Sequence, residues 1–141
     1  MNSTLLPSRV SVALLIIRIS VAMVFLYHGS AILFGAFGGP GPVRMAAVMH
    51  APVAIGYLVG LAQFGGGLAM LTGILFRFGA VCICIVMLGA IFLVHWSHGF
   101  SIANGGYEFA LTEFLVTLAL LVAGAGGYSL ATVLPPSLRK L

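Results

Sequence analysis

The stretch from Val10 to Phe34, VSVALLIIRISVAMVFLYHGSAILF, carries one formal charge, Arg18, in twenty-five residues. As a helix it is about 37 Å long, enough to cross a hydrocarbon layer of roughly 30 Å. The rest of the chain has the same character. Of 141 residues, 62% are hydrophobic and 6% are charged, where a soluble domain is about a quarter charged. Six Lys or Arg and two Asp or Glu cannot cover a water-facing globule, and so apolar a chain is not disordered either. The composition therefore predicts an integral membrane protein of one domain, residues 1–141.

Three more apolar stretches are long enough to span: Val53 to Leu75, Phe78 to Trp96, and Tyr107 to Ala125. Turn chemistry separates them. Gly38-Gly39-Pro40-Gly41-Pro42 cannot continue a helix, Arg77 marks a short second connection, and Gly99, Asn104, Gly105 and Gly106 occupy the third. The predicted fold is all-α, a four-transmembrane-helix bundle with spans near 10–34, 53–75, 78–96 and 107–125. Arg9, Arg77, Arg139 and Lys140 then fall on one side and Arg44 on the other, which predicts cytoplasmic N and C termini. Val43 to Ala51, between Pro42 and Pro52, is too short to span and is read as a short interfacial helix or an irregular loop. Ser20-Val21-Ala22 looks like a signal-peptide cleavage site, but Arg18 and the apolar run past Ala22 favour a retained first helix.

The net charge of +4 comes without a basic run, so it predicts no nucleic-acid partner. Cys82 and Cys84 lie two apart and point to different sides of a helix. With no CxxC present, they argue against a dithiol oxidoreductase. In the second span Gly56, Gly60 and Gly67 share a stripe with Gln63. Small residues so spaced let helix backbones approach, so Gln63 is expected at a helix contact, its amide bonded across the bundle.

The polar residues in the spans carry whatever chemistry there is. Arg18 lies about 12 Å in from Val10. It either snorkels back to the cytoplasmic interface or holds a carboxylate or an anionic lipid or ligand group. Toward the other face lie His28, His95, His98, Glu108 and Glu113, with Gln63 deeper. Depth alone makes them a candidate pocket. Three chemistries suit it: a metal held by His and carboxylate, a b-type haem between His28 and His95, or hydrogen bonding and proton exchange with a quinone head group. Equally, these side chains tie helix ends together, Glu108 suiting the N-terminal dipole of the fourth helix.

A resemblance runs through the same residues. Arg18, Phe25-Leu26-Tyr27-His28-Gly29, Phe64-Gly65-Gly66-Gly67-Leu68, Arg77, His95-Trp96-Ser97-His98-Gly99-Phe100, Gly106-Tyr107-Glu108-Phe109 and Gly126-Gly127-Tyr128-Ser129-Leu130 occur in an order similar to the DoxX family. That family takes its name from the small membrane subunit of a thiosulfate:quinone oxidoreductase. The resemblance implies a four-helix protein of the bacterial cytoplasmic (inner) membrane, and Arg18, His28, Arg77, His95 and Glu108 match the family pattern. Three positions depart from it: Ile32 stands for a Lys, Gln63 for a Glu and Ala131 for an Asp.

Together these readings predict the membrane subunit of a quinone-linked redox system. His28, His95 and Glu108 are its catalytic candidates, and Arg18, His28, Gln63, His95, His98, Glu108 and Glu113 are its ligand-binding ones. Quinone is the expected cofactor, although no recognisable motif encodes one, and no metal site is assigned. With no nicotinamide, flavin or haem-c motif, another membrane or redox subunit is the expected partner. The rival reading is a non-catalytic accessory subunit of a larger membrane complex.

Overall fold

The computed structural model describes residues 8–135, and these are helical, turn or coil without strands. The elements are α1 (Ser8–Phe34), α2 (Gly41–Val48), α3 (Val53–Thr72), α4 (Phe76–Gly89) and α5 (Glu108–Ala123). α4 continues through a π turn, Ala90–His95, and a 3-10 turn, Trp96–His98. Three helical segments are long and apolar enough to cross a membrane: Arg9–Phe34, Val53–Thr72 and Phe76–His98. α5 has sixteen residues, about 24 Å of helix, and is not among them.

The four long elements run antiparallel in a ring, α1 against α3, α3 against α4, α4 against α5 and α5 against α1. The α1–α3 crossing is the closest, and glycine makes it so. A Cβ on Gly67 would lie 2.9 Å from the Leu26 nitrogen, and one on Gly60 2.8 Å from Leu33 Cγ. A Cβ on Gly29 would strike the Phe64 backbone, and where α2 meets α3 one on Gly56 would strike the Pro42 carbonyl. On the neighbouring face of α3, Gly66 and Ala69 receive Ile83 and Gly79 of α4. Outside this second seam runs an apolar groove of about 550 Å³ along Leu61, Gly65, Leu68 and Phe78. Val21, Ala22, Phe25, Met70, Ala80, Ile83, Ala110 and Leu120 fill the middle.

Two boundaries differ from the sequence reading. The second connection is Gly73-Ile74-Leu75, with Gly73 (φ 75°) and Leu75 (φ 52°) both left-handed. Arg77 therefore lies inside the first turn of α4. The interfacial segment is helical, as α2, because Gly41 and Pro42 open it and a first-turn proline costs a helix nothing. Arg9 and Arg77 are exposed at one end of the bundle and Arg44 at the other. Arg139 and Lys140 lie outside the described residues.

Candidate functional site

Arg18 is 0% exposed, and carbonyl oxygens receive its guanidinium. Nε donates to Met70 (2.9 Å), Nη2 to Leu71 (3.2 Å), and Nη1 to both Ala125 and Tyr128 (2.7 Å each). Met70 and Leu71 close α3, while Ala125 and Tyr128 follow α5, so the cation sits where two helices present the negative ends of their dipoles. Its guanidinium carbon lies 5.5 Å from the centroid of the Phe76 ring, an added cation–π contact. Arg18 is buried rather than turned out to the surface, and it meets no carboxylate among the described residues. It joins the bundle at one end, far from the polar residues at the other.

At that other end lies a cavity of about 200 Å³. Its walls are apolar, Val24, Phe25, Met87 and Phe109 among them, and His28, Gln63 and His95 reach it from three helical segments. The α1–α3 glycine contacts place Gln63 at the level of His28. Gln63 is 6% exposed, but the cross-bundle hydrogen bond expected of it is not formed: Oε1 is buried without a partner. A neutral amide thus stands buried on the cavity wall.

His95 is positioned by two local irregularities. A π turn carries one residue more per ring of hydrogen bonds than an α turn, which by His95 changes its phase by roughly one residue, about 100°. The loop after it then fixes the ring. Gly105 N–H donates to Ile102 O, Gly106 N–H to Ser101 O, Tyr107 N–H to Gly99 O and Glu108 N–H to Phe100 O, all at 2.9–3.0 Å. The Gly105 carbonyl so held lies 2.6 Å from His95 Nδ1. A carbonyl can only accept, so Nδ1 carries the proton and Nε2 is left for a ligand. His28 makes no hydrogen bond to the described residues. Its ring lies 6.1 Å from that of Phe109 across the α1–α5 contact.

The remaining candidates stand apart from the cavity wall. His98 is exposed on the 3-10 turn and does not line the cavity. Glu108 accepts at Oε2 from the Ile102 amide (3.0 Å) and so braces the loop. Glu113 lies one turn beyond Ala110 on the inward side of α5. Its Oε2 is buried without a hydrogen-bond partner, as is Oγ1 of Thr117 one turn further on. No three His, Cys, Asp or Glu side chains gather in one place among the described residues. An aromatic group surrounds the cavity end: Trp96 stacks on Tyr107 at 5.3 Å, and Tyr27 on Phe37 at 4.8 Å. Trp and Tyr favour the membrane–water boundary, which places this end there.

Comparison with known proteins then settles the family. The DoxX family model matches residues 13–96, more than half of the chain. The chain belongs to the DoxX family. The DoxX match takes in Arg18, His28, Gln63 and His95, and it ends before Glu108, Glu113 and α5. A Haemophilus influenzae protein described as uncharacterized is 31% identical over 65 residues, which are 46% of this chain and 43% of that relative's length. No solved structure matches this DoxX protein.

Proposed function

We propose that this DoxX protein is the membrane subunit of a quinone-linked redox system, with the head group received by the cavity among His28, Gln63 and His95. The observation that carries the reading is the cavity's chemistry: three neutral-capable polar groups converge in an apolar bundle, and one buried acceptor, Gln63 Oε1, has no partner among the described residues. An orphaned buried acceptor costs about 1–3 kcal/mol unless a donor meets it, and the hydroxyl of the reduced ring or a water supplies one, whereas a ring carbonyl does not. The cavity is smaller than the roughly 300–1,000 Å³ that encloses a drug-sized molecule. It fits one ring, with any apolar tail left to the lipid.

A quinone, when bound, supplies two carbonyl oxygens that take up protons and electrons. The chain's own part is binding and proton placement. The Gln63 amide and the His28 ring offer hydrogen bonds to ring oxygens, and Phe25, Met87 and Phe109 keep water from the faces. Imidazole is the side chain suited to exchanging a proton there near neutral pH. Electrons come from a partner subunit or a soluble reductant. In this reading α5 is a fourth, short span, both termini are cytoplasmic, and the protein sits in the bacterial inner membrane.

The test is quinone binding and turnover in membranes and in purified protein. His28→Ala and Gln63→Leu should each reduce quinone affinity about tenfold or more while expression and helical content hold. Arg77→Gln, at the opposite end, should change neither. If the pocket variants bind and turn over as the parent does, the accessory-subunit reading replaces this one.

A further inference from the structure

The hydrogen bond between His95 and the loop decides what kind of oxygen the cavity prefers. Nδ1 gives its proton to Gly105 O at 2.6 Å, so in the neutral ring Nε2 holds a lone pair and no hydrogen. A ring carbonyl presents only lone pairs and gains nothing from such a nitrogen. A ring hydroxyl donates to it. The partner of a ligating or binding imidazole commonly fixes its tautomer in this way.

The tautomer in turn depends on residues that never touch the cavity. Gly105 turns with φ 76°, in the left-handed region, and five backbone hydrogen bonds hold residues 99–108 in one shape. Two side chains brace that turn: Glu108 accepts from Ile102 N–H at 3.0 Å and Ser101 Oγ from Ala103 N–H at 3.3 Å. Glu108 is the brace that ties this turn to the start of α5, and the carbonyl that faces His95 follows directly after the turn.

We propose that the cavity recognises the hydroxyl-bearing, reduced form of its ring ligand, a quinol, with His95 Nε2 accepting the hydroxyl hydrogen bond. Glu108 is a positioning residue that holds His95 in this tautomer through the 99–108 loop. The inference rests on the quinone-linked reading of the same cavity and adds which redox form is bound the tighter.

The full chain, purified in detergent with 15N-labelled histidine, provides the first readout. With the four imidazoles assigned by single His→Gln variants, His95 should show a protonated Nδ1 and a bare Nε2. A proton on Nε2 overturns the proposal without any ligand present. The second readout is anaerobic binding of a short-chain benzoquinol against its benzoquinone. The quinol should bind at least tenfold tighter and shift the Nε2 resonance. Equal or tighter binding of the quinone overturns this inference and leaves the quinone-linked reading standing. Binding of neither overturns that reading itself.

Glu108→Gln keeps an oxygen for the Ile102 amide and should retain both the tautomer and the preference. Glu108→Leu should move the proton to Nε2 and bring the preference near one. Ile102→Pro removes the same hydrogen bond from the donor side, at the first position of its turn, where proline is tolerated. It should reproduce the Leu variant and serves if that variant does not purify. Retention of the Nδ1 proton in Glu108→Leu and Ile102→Pro overturns the positioning role.

Discussion

The guanidinium of Arg18 is the most highly bonded side chain in the bundle, and its four acceptors belong to two different helix ends. Hydrogen bonds from a charged group are worth about 1.5–3 kcal/mol each, so several are lost together when the head is removed. Arg18→Met should lower stability by at least about 3 kcal/mol, read as an earlier thermal or SDS unfolding transition. Arg18→Lys should recover little, because a point-like ammonium cannot reach both sides as a planar fork does. The sequence marked Arg18 as costly at that depth, and this followed from its charge alone. Its partners were not legible, since backbone carbonyls leave no mark in a sequence and only the folded ends of α3 and α5 bring them together. Gln63 was legible as a helix-contact residue, its glycine stripe being visible. The missing partner for its oxygen was not.

At the scale of elements, the α1–α3 crossing sets how close the cavity walls stand. Gly29 has the Phe64 backbone where its Cβ would be, whereas a Cβ on Gly65 would meet nothing within 4 Å. Backbone cannot give way as a flexible side chain does. Gly29→Ala should therefore cost about 1–3 kcal/mol by overpacking, while Gly65→Ala should be neutral or slightly stabilising, since alanine suits a helix interior better. Parallel unfolding curves of the two variants check the contrast. Apolar length and glycine punctuation were enough to read α1, α3 and the presence of α4, whose start was read at Phe78 and lies at Phe76. The π turn at Ala90–His95 was not readable, because no residue type in AIFLVH calls for it. That irregularity changes the phase of His95, so a continuous α-helix is the wrong template for just the part of the chain that carries the candidate site.

For the whole molecule, the antiparallel ring puts Arg9 and Arg77 at the Arg18 end and Arg44 at the cavity end. In the proposed topology the first of these faces the cytoplasm. With Cys82 and Cys84 replaced by Ala, Arg44→Cys and Asn104→Cys should react with an impermeant thiol reagent in intact cells. Val133→Cys should react only after permeabilisation. Labelling of Val133→Cys in intact cells would show that α5 does not cross. The way Arg18 is satisfied also sets an order of events during synthesis. α1 leaves the ribosome first with its cation unmatched, the α3 carbonyls follow 52 and 53 positions later, and those beyond α5 follow 107 and 110 positions later. A nascent chain that stops at Ala123 has α1 to α5 and only half of this clasp. Its Arg18 cation is bonded on the α3 side and stays unclaimed on the α5 side until Tyr128 has been added.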